Sequence, residues 1–137
     1  MRTIAKLVIH CSATPDGMDV GFTEINEWHL DKGWAGPSGV GCGYHYLIRR
    51  SGVVEVGRMV AEKGAHVKGQ NHDSIGICLI GTHEFSMTQF DSLKRVLDGL
   101  MQEFPEATVH EHNEFPSAKA QGKSCPNFPV KKVLGIQ

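Results

Sequence analysis

Ser74-Ile75-Gly76-Ile77-Cys78-Leu79-Ile80-Gly81 is the stretch whose reading decides the fold. Apolar residues occupy both phases of its alternation, so a strand formed here offers apolar surface to either side. Such a strand belongs inside a sheet covered on both faces, as in α/β proteins. Working outward, residues 4–10 read as a strand in which Leu7 and Ile9 alternate with Lys6, Val8 and His10. Residues 44–49 and 53–56 read as two strands joined by a tight turn at Arg50-Ser51-Gly52, with Tyr44 and Tyr46 on one face and His45 on the other. Residues 107–110 make a short last strand. Ser86-Met87-Thr88-Gln89 resembles a capping box. Behind it Phe90, Leu93, Leu97, Leu100 and Phe104 form a helical stripe that ends before Pro105. An earlier helix takes Thr23 as N-cap and Glu24 in its first turn, buries Ile25 and Trp28, carries His29 on its face and stops at Gly33. Residues 128–134 close the chain as a turn or short helix. The order β-α-β-β-β-α-β predicts a single α/β domain over residues 1–137, a mixed sheet of about five strands flanked by helices.

Composition narrows the function. A chain of 137 residues buries a sizeable core as one domain. Fourteen basic against 15 acidic residues give a net charge of −1, with no electrostatic footprint for nucleic acid. No apolar run approaches the ~20 residues of a membrane span, so no membrane insertion is expected. The first ten residues lack the apolar run and cleavage site of a signal peptide, which predicts a chain that first accumulates in a cytoplasm. In that reducing compartment Cys11, Cys42, Cys78 and Cys125 read as thiols, Cys11 and Cys78 in the core and Cys42 exposed in a glycine-rich loop. That loop, residues 34–43, reads as a flexible rim around a cleft. Residues 57–73 have little apolar content and read as a loop kept for binding rather than packing.

The chemistry concentrates in His110-Glu111-His112-Asn113-Glu114 and Lys123-Ser124-Cys125-Pro126. Imidazole nitrogen and thiolate sulfur are the donors zinc prefers, and a catalytic zinc takes three protein ligands and leaves the fourth place to water. Neither H-E-x-x-H nor paired C-x-x-C is present, and a histidine-bearing loop with a buried cysteine is the structural alternative. His10, where a strand gives way to a loop, is a third candidate ligand. His110 rivals His112, because side chains two apart on a strand share a face.

Taken in order, Val8-Ile9-His10-Cys11-Ser12-Ala13-Thr14, Gly43-Tyr44-His45-Tyr46, Asn71-His72-Asp73-Ser74-Ile75-Gly76-Ile77-Cys78-Leu79, His112-Asn113-Glu114 and Lys123-Ser124-Cys125-Pro126 resemble the zinc N-acetylmuramoyl-L-alanine amidases. This is the family of T7-type phage lysozymes and peptidoglycan recognition proteins, and the resemblance runs from about residue 7 to 128. It implies that His10, His112 and Cys125 hold Zn2+, that Tyr44 and Lys123 are catalytic neighbours, and that His66 lines the substrate groove. It implies hydrolysis of the amide between N-acetylmuramic acid and L-alanine in bacterial peptidoglycan by a phage endolysin. The missing signal peptide fits an enzyme held in the host cytoplasm until it is released to the wall, and a monomer with no separate wall-binding domain is expected. A non-catalytic peptidoglycan-binding module and a polymerase-binding regulator are the alternatives it leaves. Lys119 rivals Lys123, because the segment between His112 and Cys125 is longer than the family pattern.

Overall fold

A computed structural model describes residues 2–136. Five strands form one sheet: β1 (Lys6–Cys11), β2 (Tyr46–Ile48), β3 (Val54–Val56), β4 (Ser74–Leu79) and β5 (Thr108–Glu111), in the order β3-β2-β4-β1-β5. β1 runs parallel to β4 and β5, β2 runs parallel to β4, and the edge strand β3 is antiparallel to β2. The mixed five-stranded α/β sheet expected from the sequence is present, with β4 central and every residue of it buried.

The alternation along β1 and β4 sorts the sheet into two faces. Leu7, Ile9, Ile75, Ile77 and Leu79 point to one face. There they pack against Leu93, Leu97 and Leu100 of α2 (Met87–Glu103) and Val130 and Leu134 of a short helix near the C-terminus. Side chains of this kind contribute about 1.5–3 kcal/mol each when fully buried. α2 opens as expected: Ser86 Oγ accepts the Gln89 N–H at 3.1 Å, and Gln89 Oε1 accepts the Ser86 N–H at 3.0 Å. The opposite face carries Val8 and His10. It is covered by α1 (Phe22–Asp31), the loops at 34–43 and 57–73, and a short helix α3 (Pro116–Ala120). The helix near the C-terminus is α4 (Val130–Leu134). Among the described residues no helix is long and apolar enough to cross a membrane.

Several local expectations are corrected. α1 is capped at Gly21 rather than Thr23, and the Gly21 N–H donates to Glu24 Oε1 at 2.7 Å. Ile25 is buried, but Trp28 is 39% exposed because its position on the inner stripe faces a cleft instead of the core. Tyr44 and Tyr46 do not share a face. Regular pleating begins only at Tyr46, so Tyr46 packs with the α2 side and Tyr44 with Leu47 and Cys42 on the other. Cys42 is fully buried, and burial pushes its thiol up to about 11. The loop at 34–43 borders the cleft but is pinned: Asn26 Oδ1 accepts the N–H groups of Gly41 and Cys42, and the Arg58 guanidinium donates to the carbonyls of Cys42 at 2.9 Å and Trp34. Residues 57–73 contribute to packing as well as lining, since Arg58 and Val67 are buried.

Candidate metal centre and cleft

His10 and His112 are 102 residues apart in the chain, yet the sheet sets them side by side. β1 and β5 are parallel with Ile9 level with Glu111, so one further step puts His10 level with His112 at the carboxyl ends of both strands. That end of a parallel sheet is where open α/β folds place their ligands. α3 and the turn after it, closed by the Lys123 N–H on the Ala118 carbonyl at 2.9 Å, bring the chain back so that Cys125 meets the pair. The Asn113 N–H donates to the Cys125 carbonyl at 3.1 Å, and the Cys11 N–H to Cys125 Sγ at 3.1 Å.

The three donor atoms stand 3.1 Å (His10 Nδ1 to His112 Nδ1), 3.5 Å (His112 Nδ1 to Cys125 Sγ) and 3.9 Å (His10 Nδ1 to Cys125 Sγ) apart. A tetrahedral zinc with ordinary bond lengths needs N···N of about 3.3 Å and N···S of about 3.6 Å. The cluster fits that ion without rearrangement, and a metal ion can sit among these three groups. Burial, then the neighbouring His66 and His112, keeps His10 well below the usual imidazole range; burial and the Lys123 charge bring His112 down to about 4. Both rings are therefore neutral near pH 7, the form that binds metal. The hydrogen bond with the Cys11 thiol, and then burial, raises the Cys125 thiol, an effect that a coordinated cation reverses by deprotonating it outright.

The rival histidine is held elsewhere. His110 lies one pleat back, its Nδ1 2.9 Å from Glu114 Oε2 and its Nε2 2.6 Å from Thr108 Oγ1. His112 and Cys125, with His10 buried behind them, border a cleft of about 770 Å³ that is also lined by Tyr44, His66 and Lys123, whereas Lys119 does not border it. Tyr44 lies with its ring 5.1 Å from that of His10, and burial raises its phenol well above the ordinary range. His29 is a buried structural ring, as its helix-face reading allows: its Nδ1 accepts the Gly43 N–H at 2.8 Å. Trp28, Lys32, Trp34, Lys68 and Asn71 also line the cleft; Trp34 lies in the loop read as its rim and Lys68 and Asn71 in the loop read as binding, whereas nothing in the sequence points Trp28 or Lys32 to it. For Asn71 a signal was available, since it opens the Asn71-His72-Asp73-Ser74 run that enters β4.

With this geometry in place, the comparisons with known proteins are decisive. The family model for N-acetylmuramoyl-L-alanine amidase matches residues 1–128. This chain belongs to that amidase family. The amidase is 37% identical over 134 residues to the endolysin of Escherichia phage T7, an alignment covering 92% of this chain and 82% of the relative. Its fold superposes with a TM-score of 0.80 on N-acetylmuramoyl-L-alanine amidase LysC from Clostridium intestinale, at 25% identity, covering 99% of this chain and 88% of that one. Drosophila peptidoglycan recognition protein SD shares the amidase fold with a TM-score of 0.67 at 22% identity, covering 94% of this chain and 85% of the other.

Proposed function

We propose that this amidase is a zinc-dependent phage endolysin that hydrolyses the amide joining the lactyl group of N-acetylmuramic acid to L-alanine in peptidoglycan. The observation that carries the reading is the His10, His112 and Cys125 cluster, sized for a tetrahedral ion, whose His112 and Cys125 border the cleft. The likeness to the T7 endolysin supports the biological role. That role has the enzyme held in the host cytoplasm until it is released to the wall.

His10, His112 and Cys125 would hold the zinc, which when bound supplies Lewis acidity toward the scissile carbonyl and makes water a nucleophile near neutral pH. Two neutral imidazoles and one thiolate leave that centre a net positive charge. Tyr44 keeps its proton because burial raises its phenol, so it serves as a donor that orients water or passes a proton to the leaving amine. The Lys123 ammonium, which borders the cleft and lowers the His112 pKa through its charge, stabilises the oxyanion that develops on the lactyl carbonyl. Comparable contacts are worth about 3–4 kcal/mol. Three lysines, Lys32, Lys68 and Lys123, line the cleft, and among the described residues no carboxylate does. A basic groove in a chain of net charge −1 suits a stem peptide that carries carboxylates.

Digestion of purified sacculi tests the assignment through its products. Amidase action releases peptides with new free L-alanine amino termini and leaves the glycan strands at full length. New reducing sugar ends, or retention on sacculi with no cleavage, would replace this reading with a glycosidase or with a binding module.

A further inference from the structure

Resting on the metal-site reading above, we propose that His66, backed by Ser74, is a positioning residue that fixes the tautomer of His10 and thereby its competence as a metal ligand. Both nitrogens of the His10 ring are engaged. Nδ1 faces His112 and Cys125, while Nε2 lies 2.9 Å from His66 Nδ1. The far nitrogen of His66, Nε2, lies 3.1 Å from Ser74 Oγ.

A neutral imidazole carries one hydrogen, so each ring in this chain of contacts is a donor at one nitrogen and an acceptor at the other. Two proton directions are self-consistent. In one, Ser74 donates to His66 Nε2 and His66 Nδ1–H donates to His10 Nε2. The His10 hydrogen then sits on Nδ1, where it blocks the lone pair that a metal needs. In the other, His10 Nε2–H donates to His66 Nδ1 and His66 Nε2–H donates to the Ser74 hydroxyl. Only this second direction leaves His10 Nδ1 free toward His112 and Cys125. The tautomer of His66 therefore dictates that of His10, which is how outer partners of ligating histidines act in metal sites generally.

The fold builds a seat for this ring. The N–H groups of His66 and Val67 both donate to Asn71 Oδ1 at 2.9 Å, which fixes the backbone that carries it. A Cβ on Gly76 of β4 would lie 2.6 Å from His66 Cγ, and one on Gly64 would lie 2.8 Å from His66 Cδ2. Glycine on the central strand and in the opposing loop thus leaves the space the imidazole fills. Ser74, two residues before Gly76 on the same face of β4, supplies the oxygen at its far end. The ring meets His10 at an interplanar angle of 84° with centroids 4.9 Å apart, which directs one ring edge at the other. His66, which also lines the cleft, thus serves the ring of His10.

Zinc affinity, measured by competition with a fluorescent chelator, tests this apart from catalysis. His66→Phe, which fills the seat but accepts nothing, is expected to weaken zinc binding about 10–100-fold. His66→Gln, whose side-chain oxygen can accept from His10 Nε2–H, is expected to recover most of it, and Ser74→Ala to lose a few-fold. Long-range ¹⁵N–¹H spectra of the zinc-loaded wild type should place the hydrogens of both His10 and His66 on Nε2, a readout that requires no variant to fold. Zinc binding by His66→Phe at wild-type strength, or a His66 hydrogen on Nδ1, would overturn the proposal alone. Failure of the wild type to bind zinc would overturn the metal-site reading and the proposal with it.

Discussion

Acid should unfold this protein through His45, a ring outside the metal cluster. His45 is fully buried, its Nδ1 accepts the Gly76 N–H at 3.0 Å, and its Nε2–H donates to the Glu62 carbonyl at 2.8 Å. A second ring proton would set two donors face to face. Burial above all, with Arg2 and Arg58 adding to it against the Glu62 carbonyl, lowers the ring to about 4. In the unfolded chain it titrates near 6.5. Between those values the unfolded state binds more protons, so the stability present above about pH 6.5 is lost as pH falls toward 4. Linkage gives a loss of about 2 kcal/mol from pH 7 to pH 5, and about 3 kcal/mol once the pH is well below 4. With a urea slope of about 2 kcal/mol per molar, His45 accounts for about 1 M of the drop in midpoint between pH 7 and pH 5. In His45→Gln, measured at saturating zinc, the midpoint at pH 7 falls somewhat, but the drop from pH 7 to pH 5 should shrink by about 1 M. An equal drop in both proteins would refute the argument.

Lys123→Met is expected to lower kcat/KM about 100–1000-fold with the melting temperature unchanged, while Lys119→Met, outside the cleft, stays within about twofold of wild type; the opposite ranking would transfer the role to Lys119. Arg58→Met strips the carbonyls of Cys42, Lys63 and Trp34 of their donor, so urea unfolding should show a loss of about 3 kcal/mol and KM should rise as the rim bearing Trp34 is released. A loss below about 1 kcal/mol would show that the pin is dispensable. Leu97→Ala empties a position 1% exposed between α2 and the sheet and should cost about 2–5 kcal/mol with kcat unchanged.

The frame of this fold could be read from the sequence because burial writes itself into alternation. Residues 74–81, apolar in both phases, contain the central strand β4 (Ser74–Leu79), and the Phe90, Leu93, Leu97 and Leu100 stripe is the inner face of α2. Where a side chain faces a cleft, the same pattern misleads. Trp28 has core periodicity, yet the surface opposite it is a groove, which helical spacing alone cannot distinguish from a core. Tyr44 was placed with Tyr46 by strict alternation, but β2 starts only at Tyr46 and the pleat does not extend back to Tyr44. Cys42 was expected to be exposed because glycine-rich loops usually are; a buried arginine 16 residues away holds this one down.

The candidate metal residues were legible as donor types, and the resemblance chose among them. Their convergence depends on a parallel register, Ile9 level with Glu111, that no local pattern specifies. α3 went unassigned because a five-residue helix has too few turns for a periodic signal. The resemblance places His66 in the groove, and it does line the cleft; its contact with His10 is not legible in the sequence because it spans 56 residues and exists only in the folded sheet.

The central claim, amide hydrolysis at the His10, His112 and Cys125 cluster, is tested most directly by titrating chelator-stripped enzyme with zinc and counting released L-alanine amino termini. The account predicts a rate that climbs linearly and levels off at one equivalent of zinc, with Cys125→Ala flat throughout. Full hydrolysis by the stripped enzyme, or an active Cys125→Ala, would contradict it.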